Sequence, residues 1–359
     1  MNRQIYKNGT LAIHGRLVRR DLCVEDGVIS HIAPVIEAGD AQVIDLTGKR
    51  VYPKLIEEHS HGARGMDFSI DGADRFDQLI AFYRQQHVGT IFPTLMTDST
   101  QKMCAQLDEV VKSAKSNPEI KGIHVEGPFL SREYKGATPR QFIQRPSLDT
   151  AEQLLEHGGG LLKLVTVAPE LPGALEVVRF FVNHGVKVNL GHTGATYEQT
   201  TACLDAGADG FTHTFNGMRL MHQHELGAGG CAMLSDAYCE AICDGRHLNK
   251  HTVALLLKVK GPDKVILITD SMMAAGMPDG EYRLGSLDIV VTDGDARTKG
   301  EDSRAGSTLP AYDGVKNFAA FTGLPLEQAI IAMSENPARR FGLNTGSLEP
   351  GKLAEFFWE

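Results

Sequence analysis

The chain has little that would tie it to a membrane, a secretory route or a nucleic acid. Nowhere in its 359 residues is there a run of the roughly 18 to 20 apolar residues that a membrane span needs. Residues 1–30 contain no long apolar stretch and no small-residue cleavage site, so they do not read as a signal peptide. The six cysteines, Cys23, Cys104, Cys203, Cys231, Cys239 and Cys243, are scattered, with no CxxC pair. Free thiols in a reducing cytoplasm are therefore expected. Positive charge is also scarce: 36 Lys and Arg face 45 Asp and Glu, a net charge of −9. That balance argues against non-specific binding to nucleic acid and against an anionic membrane surface. It leaves a small anionic substrate open, because a local basic cluster decides that. Sequence repeats and low-complexity tracts are absent too.

What is present is the composition of an ordinary globular protein, 42% hydrophobic and 23% charged. The length allows one large α/β barrel with a small appendage, or two to three average domains. Residues 1 to 50 read as short strands separated by turns, with Asn8-Gly9 and Asp26-Gly27 as hairpin signals. From residue 51 the pattern changes. Short apolar runs at 51–56, 89–95, 120–125, 162–167, 186–190, 210–214, 238–243 and 265–269 alternate with segments of helical spacing, such as 76–87, 101–113, 175–183, 197–206 and 250–259. Eight such units fit a (β/α)8 barrel, whereas a doubly wound sheet would not need eight. A Gly/Asp-rich stretch (285–306) and two helices (312–321 and 325–333) follow. The tail from 346 reads as a turn and a short strand that rejoins the N-terminal unit. The expected α/β fold is thus a TIM-type barrel over residues 51–343, with a small β-sandwich domain built from residues 1–50 and 344–359.

The run ends carry the chemistry. His59 and His61 follow the first run, and residues i and i+2 of a strand share a face, so both rings can converge on one metal. Glu126 ends the third run, His192 the fifth, His213 the sixth and Asp270 the eighth. A barrel gathers these ends on one rim, where barrel active sites lie. Four histidines and two carboxylates there suit a two-metal hydrolytic site, with Glu126 placed to bridge the ions. No lysine ends the fourth run, so a carbamylated-lysine bridge has no candidate. His124 shares the parity of Glu126 and reads as an interior-layer residue. His14, His31, His87, His157, His184 and His251 lie on helices or in the β unit and read as structural.

The same residues resemble the amidohydrolase superfamily and, more closely, its N-acetylglucosamine-6-phosphate deacetylases. The matching pieces are His59-Ser60-His61-Gly62, His124-Val125-Glu126-Gly127-Pro128-Phe129-Leu130, Gly191-His192-Thr193, Thr212-His213-Thr214-Phe215-Asn216-Gly217-Met218, Cys243-Asp244-Gly245-Arg246-His247, Thr269-Asp270-Ser271 and Ala305-Gly306-Ser307-Thr308-Leu309. The resemblance implies one or two divalent ions per subunit, zinc first, with iron or manganese as alternatives. Glu126, His192 and His213 would hold the principal ion, and His59 and His61 a second one shared through Glu126. Asp270 would be the catalytic acid and base. Ala137, Asn216, Gly217, His224, His247, Ala305 and Gly306 would bind an amino-sugar phosphate, part of whose site comes from the second subunit of a homodimer. By residue type alone, Asp270 also suits a helix N-cap, Asn216 a turn and His247 a solvated loop.

Three positions depart from the family pattern. Lys54 replaces a turn glycine and Glu57 an aspartate before the histidine pair, which is expected to strain the approach to the first strand. Gln223-His224-Glu225 stands where relatives carry a phosphate-gripping arginine, and a histidine cannot supply the bidentate fork. Arg219, His222 and Arg246 are the candidates to compensate. That departure keeps the N-acetylgalactosamine 6-phosphate epimer and a cyclic-amide or N-acyl-amino-acid hydrolase in play, and Lys54 and Glu57 keep a non-catalytic barrel in play.

Overall fold

The structure is a computed structural model, and it describes residues 2–301 and 303–359. Eight parallel strands form one sheet in sequence order: Leu55–Ser60, Val88–Met96, Ile123–Glu126, Leu162–Val167, Lys187–Leu190, Gly210–Phe211, Tyr238–Ile242 and Val265–Ile268. Ser60 and Ser271 form a parallel bridge that brings the last strand back to the first. Across the same seam, Asp270 N donates to His59 O at 2.9 Å and His61 N to Ser271 O at 2.8 Å. Parallel strands need long crossovers, and amphipathic helices supply them. One such helix is Thr100–Ser113, where Ser99 caps the start and Met103, Leu107 and Val110 face the barrel.

The expected first run divides into two strands. Arg50–Pro53 lies in a four-stranded sheet with Thr10–Ile13, Arg16–Arg19 and the C-terminal strand Phe356–Trp358. A second sheet of Val28–Ala33, Asp21–Glu25, Arg3–Lys7 and Gln42–Asp45 faces it. Leu11, Leu22, Val24, Ile29, Val51, Leu348 and Phe356 fill the space between them. Lys54 stands at the junction outside the left-handed region of φ, so no glycine is needed there and the expected strain is absent. Glu57 does not strain the strand either. Its buried carboxyl accepts the backbone N–H of His59 at 3.1 Å and that of Thr269 at 3.2 Å, which ties the first barrel strand to the last.

Two further features were not expected. The Gly/Asp-rich stretch contains two strands, Leu287–Thr292 and Asp295–Thr298, which form an antiparallel sheet with Gly280–Leu284 just before it. Its inner face packs Leu284, Ile289, Val291 and Ala296 on Met96, Ala137, Met272 and Ala305 at the mouth of the barrel. At the opposite end the helix Glu335–Phe341 plugs the barrel, with Asn336 donating to Pro262 O and Val265 O at 2.7 Å each.

Candidate metal centre

The six residues expected at strand ends lie together and are buried. Two groups of three ligand atoms form: His59, His61 and Asp270 in one, Glu126, His192 and His213 in the other. Glu126 joins them. Its Oε1 lies 3.0 Å from His192 Nε2 and 3.1 Å from His213 Nε2, and its Oε2 lies 3.2 Å from His61 Nε2. Asp270 Oδ1 is 3.2 Å from His61 Nε2 and 3.5 Å from His59 Nε2. No helix begins at Asp270. His192, His213 and Asp270 all have positive φ, at 48°, 29° and 48°. Strained backbone of this kind costs on the order of 1 to 3 kcal/mol per residue and collects at functional sites.

The imidazole tautomers show what the site is built to hold. His61 Nδ1 donates to Thr94 O at 3.2 Å and His192 Nδ1 to Tyr134 O at 2.9 Å. His59 Nδ1 donates to the buried carboxylate of Glu240 at 3.1 Å. In its neutral form each ring therefore turns an Nε2 lone pair toward the centre. There the lone pairs meet carboxylate oxygens, and His192 Nε2 meets His213 Nε2 at 3.1 Å. His59 Nε2 is buried without a hydrogen-bond partner. Facing acceptors at such distances call for a cation between them. The electrostatics agree. Burial by itself would lower the pKa of His59, His61 and His192, but the carboxylates of Asp270 and Glu126 raise all three, His61 to about 9. Burial would push Glu126 up, yet the charge of His59 and the hydrogen bonds of His192 and His213 hold it well below the carboxylate range. These donors fit divalent metal, and their N/O chemistry admits several first-row ions.

Beneath the site runs a buried polar chain that the sequence did not reveal. Glu240 is held by Asn189 Nδ2, and Asn189 Oδ1 accepts from Arg340 at 2.6 Å. Arg340 also binds Glu58 and Asp209, each at 2.8 Å. Only one signal pointed there: an acid inside the apolar run 238–243. His124 sits beside this chain, with Nε2 2.9 Å from Thr166 Oγ1 and its ring 4.6 Å from that of His59; it belongs to neither ligand group.

Above the ligands opens a cavity of about 250 Å³. Ala137, Asn216, Gly217, His247 and Gly306 line it, as expected. Asp244 accepts from His247 Nδ1 at 2.7 Å, which leaves Nε2 for a substrate. Gly217, with φ +59°, passes so close to His192 that a Cβ there would lie 2.8 Å from its Nδ1. One expectation is corrected. Ala305 is fully buried in the apolar layer behind the wall and does not line the cavity. His224 is exposed beside His222, in a separate depression with Tyr197 and Glu198. It lies in a surface turn closed by the bridge between His222 and Glu225, away from its own chain's cavity.

A TIM-type barrel with two joined three-ligand groups on its rim defines a metal-dependent barrel hydrolase. The chain belongs to the amidohydrolase family, whose model matches residues 50–358. Among its relatives, the N-acetylglucosamine-6-phosphate deacetylase of Vibrio furnissii is 35% identical over 95% of this chain and 88% of its own. The N-acetylgalactosamine-6-phosphate deacetylase of Escherichia coli O157:H7 is 34% identical over 96% and 91%. The chain superposes with a TM-score of 0.94 on a Mycobacterium smegmatis N-acetyl-D-glucosamine-6-phosphate deacetylase mutant in complex with N-acetyl-D-glucosamine-6-phosphate. That match has 32% identity and covers 100% of this chain and 95% of the other.

Proposed function

We propose that the protein hydrolyses the acetamide of N-acetyl-D-glucosamine 6-phosphate to acetate and D-glucosamine 6-phosphate in amino-sugar breakdown. The observation that carries this reading is the cavity floored by both ligand groups, in a chain similar along its length to hexosamine-phosphate deacetylases. Two ions, zinc foremost, suit the two groups; Glu126, His192 and His213 hold the principal one, His59 and His61 the second. A bound divalent ion supplies Lewis acidity and lowers the pKa of the water it holds toward about 7. Burial pushes the Asp270 carboxyl up, but the charge of His59 and the hydrogen bond from His61 bring it below the usual range, so it is ionised at neutral pH. It can then take the proton of the attacking water and deliver it to the departing amine nitrogen, which could not leave as an anion. His247 Nε2 is available to polarise the acetyl oxygen, and Asn216 and Gly217 line the sugar's place. We assign the protein to the cytoplasm as a homodimer. The exposed segment of Leu220, Met221, His224 and Leu226 supports the dimer, since it offers apolar surface and a histidine to a neighbouring subunit.

A second reading, the galacto epimer, is favoured by the 34% identity to an enzyme of that name. Incubating the metal-loaded protein with each hexosamine phosphate and assaying acetate decides between them. Acetate from the gluco substrate at the higher kcat/KM supports the first reading. Acetate from neither overturns both.

A further inference from the structure

The basic residues expected to compensate for the missing phosphate arginine do not line the cavity: Arg219, His222 and Arg246 are all exposed. Two other arginines do line it, Arg297 and Arg304, and both belong to the sheet over the barrel mouth. Arg304 forms an antiparallel bridge with Arg297. Directly opposed residues put their side chains on one face, with Cβ atoms about 5 Å apart, and like charges so placed destabilise the pair. Asp295 relieves this by accepting Nε of each guanidinium at 2.9 Å. The second contact of Arg304 with Asp295 is looser, 3.4 Å from Nη2. Arg304 is thus clamped along one edge of its plane, and the edge carrying Nη1 remains for a ligand. Paired N–H donors on such an edge match the oxygens of a phosphate.

The backbone also fixes how far this charge stands from the ligand groups. Ala305 N donates to Ala296 O at 3.0 Å, and Ser307 N to Asp270 O at 2.7 Å. The chain therefore runs from the covering sheet directly to the backbone of Asp270. Arg304 precedes Gly306 by two residues, on the order of 7 Å of extended chain. Asp270 and Arg304 line the same cavity, so one ligand can meet both.

We infer that Arg304 is a specificity-determining residue that grips the phosphate monoester of the substrate from within the same chain, where the family's arginine is replaced by His224. This rests on the deacetylase reading. The test uses the full, metal-loaded protein and calorimetry with glucosamine 6-phosphate and with glucosamine, so that it does not depend on turnover. Arg304→Leu keeps the bulk and removes the charge; Arg304→Lys keeps the charge without the fork. The leucine variant should bind glucosamine 6-phosphate about 10- to 100-fold more weakly, the lysine variant by an intermediate factor. Affinity for glucosamine should change far less. In kinetics, the preference for N-acetylglucosamine 6-phosphate over N-acetylglucosamine should fall by the same factor, through KM. Unaltered binding of the sugar phosphate by Arg304→Leu overturns the inference. An equal loss toward glucosamine overturns it too, because that marks general damage to the site. If the protein deacetylates neither hexosamine phosphate but Arg304→Leu still loses sugar-phosphate affinity, the functional reading fails and the role of Arg304 stands. If the unaltered protein binds no sugar phosphate, both fail.

Discussion

Glu126 is the residue on which the centre turns, because its two oxygens face different histidines, His192 and His213 on one side and His61 on the other. Asp270 is divided differently: it can complete the ligand set of His59 and His61 or handle a proton, and the two roles separate on substitution. Asp270→Asn should lower kcat by about 10²- to 10⁴-fold, the usual worth of a positioned acid and base, with the ion proposed for Glu126, His192 and His213 retained. Activity assays paired with elemental analysis check this; near-normal turnover would remove Asp270 from proton transfer. At this scale much was legible. His59 and His61 share a strand face by parity, and Glu126, His192, His213 and Asp270 each follow an apolar run, so a barrel brings them together without further information. Ala305 was not legible, because whether a side chain beside a cavity faces it or the layer behind depends on how the chain folds back.

Among the elements, the seventh barrel strand and the plugging helix contribute most to holding the site. Glu240 orients His59, and Arg340 anchors Glu240 through Asn189. Glu240→Gln should weaken binding of the second ion proposed for His59 and His61 by about 10- to 100-fold, the usual effect of losing a carboxylate behind a metal-binding histidine. Ion content per chain during stepwise chelation measures it; loss of both ions together would contradict a role confined to His59. Arg340→Met acts otherwise. It leaves Asp209, whose carboxyl burial would raise but the charge of Arg340 holds below its ordinary range, without its cation, and it removes the hydrogen bond to buried Glu58. Breaking a buried pair in this way costs about 3 to 5 kcal/mol. Urea unfolding should show that loss, and a cost under about 1 kcal/mol would mean that the pair adds nothing to stability. Neither partnership is visible in one dimension, since Arg340 and Glu58 are 282 residues apart. The covering sheet escaped notice for a local reason: its strands are short, half-exposed and joined by Gly-rich turns, so apolar alternation is weak.

For the whole molecule, the question is how the sandwich and the barrel are held together. Phe357, on the last strand, stacks on His87 with ring centroids 3.9 Å apart and meets Tyr312 edge-on, so the C-terminus packs on both bodies. His14, at a sandwich turn, reaches Glu335 at 2.9 Å and Glu349 at 3.3 Å. The hydrogen bond to Glu335 raises the His14 pKa above its ordinary 6.5. The folded state therefore binds this proton more tightly than the unfolded chain does. The stabilisation is complete below pH 6.5 and is lost as pH rises through the raised value. The ring is 55% exposed, so solvent screening keeps the contribution under about 1 kcal/mol. His14→Gln should lower the urea midpoint at pH 5.5 and leave it unchanged at pH 9; an equal effect at both would point to packing instead. The sequence by itself determined the barrel, its strand order and the six residues on its rim. Periodicity and position within an apolar run are local properties, and a parallel barrel converts them directly into places on a rim. Only the tertiary structure decided which groups stand behind the ligands, which arginines line the cavity and which loops stay away from it. Those depend on contacts between residues far apart in the chain, where neither spacing nor composition leaves a mark.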